Sequence, residues 1–166
     1  MTIQNDYDLY TAPAGVGQNS LLAGSCRVIN SGEGATRTLL AEESGAVCLF
    51  DRAAGIVYTL PSDAPVGAFF DFRTITTITS NAAKVITGAA TQYLVGAVIA
   101  GSATVADSGD MFTADGSTHV ALSSNGSTTG GVVGDAYRMT RISSTQWVVD
   151  GLISGSGTLA TPFATS

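Results

Sequence analysis

The chain has 166 residues, 12% of them charged, a formal net charge of −6 and a sequence pI of about 4.4. Charge runs at about half the ~25% of an ordinary soluble domain, while 45% of residues are hydrophobic, which excludes a disordered chain. The seven Lys and Arg residues are scattered, with only Arg138 and Arg141 close together, so no basic patch supports direct nucleic-acid binding.

The length suits one domain, or one domain plus an arm. Residues 1–20 carry Asp6, Asp8, Pro13, Gly15 and Gly17 and show no sustained periodicity. They read either as a loosely ordered terminus or as an extended N-terminal arm that docks on a neighbour through Tyr7 and Tyr10. MTIQNDYDLY has neither a basic n-region nor an apolar h-region, so no secretory signal is expected. Residues 21–166 form the expected single β-rich domain.

Leu21 to Ile29 and Thr36 to Ala41 are the first strand candidates, with a turn at Asn30 to Gly34. Glu42-Glu43-Ser44-Gly45 turns the chain again. Val47 to Phe50 and Ile56 to Leu60 are predicted strands, and the five-residue loop ending at Gly55 suits a hairpin. Ile56, Tyr58 and Leu60 share one face, and Pro61 ends the strand.

Val66 to Thr79 is rich in aromatic and β-branched residues and reads as strand throughout, with Phe70 and Phe72 on one face and Phe69, Asp71 and Arg73 on the other. Val85 to Ala106 lacks charge, yet Thr87, Thr91, Gln92, Ser102 and Thr104 interrupt it and Gly88, Gly96 and Gly101 punctuate it. It reads as short buried strands separated by turns, not as a membrane span.

Met111 to Thr113 is short, Asp115-Gly116 is a hairpin dipeptide leading into Thr118 to Leu122, and Ser123 to Gly131 is a loop. Val132 to Ile153 then reads as two strands and a polar turn. Tyr137 and Met139 share a face in the first. Trp147, Val149 and Ile153 oppose Gln146 and Asp150 in the second, so Trp147 is a core residue. Strands at intervals of about 8–12 residues predict an all-β, antiparallel sandwich or barrel-like domain with little helix, and no fixed-period repeat suggests a solenoid.

Catalytic chemistry finds little support. His119 is the one histidine, and Cys26, Cys48 and His119 lack zinc-ligand spacing. There is no G-x-S-x-G elbow, P-loop or G-x-G-x-x-G run. Glu42 and Glu43 look like turn residues rather than a hydrolytic pair. Asp107, Asp110 and Asp115 lack a calcium-loop pattern. Cys26 and Cys48 read as two buried thiols, although one bridge between neighbouring strands is geometrically open. No catalytic, cofactor or metal site is expected.

The run Leu39 to Phe72, LLAEESGAVCLFDRAAGIVYTLPSDAPVGAFFDF, resembles the front half of small structural proteins from tailed bacteriophages, in which a Ser-Gly opens a strand, a hairpin ends in T-L-P and an apolar-aromatic strand follows. Gly134-Asp135, the alternating strand, Trp147 and Gly151 resemble their back half, and Gly155 to Ala164 their Gly- and Thr-rich tail. Where such proteins carry Asp-Gly before the Trp, this chain has Ser143-Ser144-Thr145.

The resemblance is to head decoration, or cement, proteins, with related modules in tail fibres. It implies a homotrimer on the capsid exterior that bridges major capsid protein subunits, assembled in the host cytoplasm, with no direct nucleic-acid or membrane partner. A tail fibre or baseplate component and a carbohydrate-binding module are the alternatives.

Overall fold

Twelve strands carry most of the regular structure in the computed structural model, which describes residues 27–30, 32, 34–103 and 108–166. In chain order they are β1 Val28–Ile29, β2 Thr36–Thr38, β3 Val47–Phe50, β4 Val57–Thr59, β5 Phe69–Thr74, β6 Ala83–Ile86, β7 Tyr93–Ser102, β8 Asp110–Asp115, β9 Ala121–Ser124, β10 Ala136–Arg141, β11 Gln146–Gly155 and β12 Phe163–Ala164. A single 3-10 turn, Ala41–Glu43, is the helical content among the described residues. The all-β expectation holds. The arm expected at residues 1–20, with Tyr7 and Tyr10, lies outside the described residues, as does Cys26.

Two sheets form, one of seven strands in the order β1-β3-β5-β10-β11-β7-β8 and one of five in the order β12-β9-β6-β4-β2. Strands β1 to β6 alternate between them, each parallel to the strand two before it. The chain therefore coils through three two-sided rungs, with Val28, Val47 and Asp71 stacked on one side and Thr36, Val57 and Lys84 on the other. The loops between rungs differ in length, so this coil leaves no fixed period in the sequence.

Several expectations are corrected by this topology. Pairing is mixed rather than antiparallel throughout, because successive strands cross between sheets instead of turning back. For the same reason β3 and β4 are not a hairpin, nor are β8 and β9 across Asp115-Gly116. Strand β5 stops at Thr74. Ile75 and Thr76 donate their N–H groups to the Phe50 carbonyl, and Thr79 to that of Ala53, which carries the β-branched run over towards β6.

Tyr93 to Ser102 is one continuous strand rather than two. Gly96 lies within it at φ +113°, and a Cβ there would sit 2.3 Å from the Val149 carbonyl oxygen. This glycine permits the close approach of β7 to β11 rather than a turn.

The sheets join through side chains. Phe50 and Phe72 of the larger sheet meet Tyr58 of the smaller one at centroid distances of 5.3 Å and 5.8 Å, and Tyr137 stacks on Phe72 at 5.3 Å. The β10–β11 hairpin lies between β5 and β7, and Trp147, with no exposed surface, packs 6.3 Å from Phe70.

Polar groups secure the hairpin at both ends. The buried Asp135 carboxylate accepts N–H groups from Gly131 (2.7 Å), Val132 (3.2 Å) and Ser154 (2.7 Å). The buried Arg141 guanidinium donates to the carbonyls of Ser62 (2.9 Å), Pro61 (3.3 Å), Ser143 (3.1 Å) and Ser144 (2.8 Å). It thereby ties the β10–β11 turn to the segment following β4.

Trp147→Ala is expected to cost about 3–5 kcal/mol by removing a large side chain from a dry core. A urea titration should show the midpoint falling with the slope unchanged. Asp135→Ala should orphan three backbone N–H groups at about 1–3 kcal/mol each where they remain buried. The same titration should rank it with Trp147→Ala and well beyond Thr38→Ala on an exposed strand.

Candidate interaction surface on the seven-stranded sheet

Residues on one face of the larger sheet are committed to the core, and period-two alternation sends the others outward. On β5, β10, β11, β7 and β8 the outward residues fall into register rows. The first row is Ala136, Leu152, Ile99 and Met111. Met111, Leu152 and Ile99 are 67%, 61% and 53% exposed, so three adjacent strands present large apolar side chains to solvent. A second row runs Asp71, Arg138, Asp150, Ala97 and Thr113. The third runs Phe69, Thr140, Val148, Val95 and Asp115, with Val148 and Val95 half-buried.

The charged row is built within the chain. Arg138 holds Asp71 bidentately, Nε to Oδ1 at 2.9 Å and Nη2 to Oδ2 at 2.7 Å, and its guanidinium lies 4.4 Å from the centre of the Phe69 ring. The hydrogen bonds from Arg138 hold the Asp71 carboxyl below the usual carboxylate range, against the opposing effect of burial. Asp150 lies across from Arg138 on the other neighbouring strand. With Arg73 and Leu152 these groups line a shallow depression of about 300 Å³.

The residues weighed as catalytic or metal-binding are placed elsewhere. The half-buried His119 packs against Phe163 at 5.8 Å, with Nδ1 3.5 Å from Asp115 Oδ1. Asp115 caps its own turn, accepting the N–H groups of Ser117 and Thr118 and the Thr118 hydroxyl. Those bonds hold its carboxyl well below the usual range.

Glu43 is buried and paired with Arg37 at 2.6 Å, while Glu42 faces solvent, so the two carboxylates do not share a cleft. Cys48 is a free thiol, which burial pushes up to about 12. Asp107 lies outside the described residues, and no cluster of three or more His, Cys, Asp or Glu occurs among the described residues. No helix among the described residues is long and apolar enough to cross a membrane. Trp147 is too deeply buried to serve as a sugar-stacking platform.

No protein-family model, curated protein or solved structure matches this chain. The outer face therefore rests on its own geometry. Sequence reasoning placed Asp71 and Asp150 outward but passed over Ile99, Leu152 and Met111. Strict alternation from Trp147 would have assigned Leu152. Ile99 required knowing that β7 runs unbroken through Gly96.

Arg138→Gln should move the Asp71 carboxyl upward, because the bond that stabilises its ionised form is removed. In the native protein the pair's contribution to stability is present above the unfolded Asp pKa and is lost as pH falls through the depressed folded value. A carboxyl-carbon NMR titration of both proteins checks the direction. An unmoved Asp71 would show that Arg138 is not its stabilising partner.

Proposed function

We propose that this chain is a non-catalytic structural virion protein of a tailed bacteriophage, which binds the outer surface of the capsid and bridges neighbouring major capsid subunits. The observation that carries the reading is the outward apolar row of Met111, Ile99 and Leu152, which stand in register on three adjacent strands. A contiguous apolar face is characteristic of a surface covered within an assembly, whichever member covers it. Repetition on a lattice turns weak individual contacts into firm attachment.

The two stretches that resemble phage structural proteins also belong to one unit. Leu39 to Phe72 supplies β3, β4 and most of β5, and the later stretch supplies β10 and β11. They meet where β5 pairs with β10, Phe70 opposite Met139 and Phe72 opposite Tyr137. A second reading, a tail fibre component, draws on the parallel coil of β1 to β6, since stacked rungs suit an elongated assembly.

Purified protein added to capsids that lack it should co-sediment with them and raise their resistance to heat. Failure to bind both before and after capsid expansion would overturn the decoration reading. Labelled protein found at the tail rather than over the head faces would favour the fibre.

A further inference from the structure

The outer face of the larger sheet also bears on which molecule covers it. We propose that the surface formed by β5, β10, β11, β7 and β8 is where copies of this chain associate with one another. The inference rests on the assembly reading above and names the self-contact within it.

Electrostatics carries the first part. The chain has a formal net charge of −6, so two copies meeting through most of their surface bring like charges together. The middle of this face is different. Arg73 and Arg138 balance Asp71 and Asp150, and Arg138 sits between the two acids. A face that meets the same face of a second copy across a two-fold axis must be self-complementary, and a patch of one sign cannot be. A neutral patch of alternating sign can be. The Asp71–Arg138 pair is already bonded within the chain, so covering it leaves neither partner without its counter-charge. Asp110 and Asp115, on the edge strand β8, fall at the rim, where charges stay solvated.

Area carries the second part. Two strands of ten residues and three of six make up the face. At ~3.3 Å per residue and ~4.8 Å between strands they cover roughly 600 Å² before side chains add relief, close to the ~800 Å² per partner of a standard interface. The exposed apolar row of Leu152, Ile99 and Met111 provides the part that gains by leaving water.

The test is the mass of the full chain in solution, followed by sedimentation across a concentration series. The native protein should be an oligomer. Ile99→Asp should weaken association by about tenfold or more, since it puts a charge into the covered row. Leu152→Asp is the second variant should the first not fold, and near-UV circular dichroism reports the fold of each. Thr59→Asp, outward on the smaller sheet, should leave association unchanged.

A native protein that stays monomeric at its highest soluble concentration overturns the proposal, as does a folded Ile99→Asp or Leu152→Asp that associates like the native chain. The two proposals can fail separately: a monomer that still decorates capsids sinks this one alone, and an oligomer that ignores capsids sinks only the other.

Discussion

Ladder hydrogen bonds hold each sheet together strand by strand, but they do not hold one sheet against the other. That task falls to the side chains between them, above all Phe50, Tyr58, Phe72 and Tyr137. Aromatic pairs of this kind add about 0.5–1.5 kcal/mol each beyond the area they bury. Of the crossings that β1 to β6 make between the sheets, those from β3 to β4 and from β4 to β5 are bridged by this contact. Aliphatic side chains, among them Ile29, Leu39, Ile56, Leu60 and Val85, complete the layer around it.

The hairpin of β10 and β11 depends on the same layer and adds its own constraints. Tyr137 and Met139 extend the aromatic core, and Trp147 extends it towards β7. At the two ends sit buried charged groups that would be costly alone. Asp135 is surrounded by backbone N–H donors, yet burial outweighs them and raises its carboxyl above the usual value. Its contribution to stability is therefore full at low pH and is lost as pH rises through the raised value, opposite in sign to that of Asp71. Arg141 instead spends its donors on carbonyls of two separate turns, fixing how they sit relative to each other.

The result is a rigid platform rather than a cleft. Ionisable residues are used to close turns, fasten loops or balance one another, and the outward apolar row lies on β11 and β7, which are held from both sides, and on the edge strand β8. A binding surface on such a scaffold needs little reordering when it is covered, which lowers the entropic cost of association. Such a platform is compatible with the proposed attachment on a lattice and the proposed self-contact.

Much of the fold was legible in the residues themselves. Alternation alone assigned the inward faces of β4, β5, β10 and β11, because a side chain's face in a strand depends only on its position along it. The Val47–Phe50 strand and the buried role of Trp147 were legible for that reason. Partner choice was not. Asp115-Gly116 and the loop ending at Gly55 look locally like hairpin turns, and a turn does not record whether the chain returns to the same sheet. Gly96 looks like punctuation until β11 lies against it. The face of Met111, Ile99 and Leu152 comes from β8, β7 and β11, and β11 is far from the others in sequence, so only pairing and register could bring it together. The sequence by itself determined which residues of β4, β5, β10 and β11 share a face. The tertiary structure decided which strands are neighbours, because that depends on how distant segments fill one shared core.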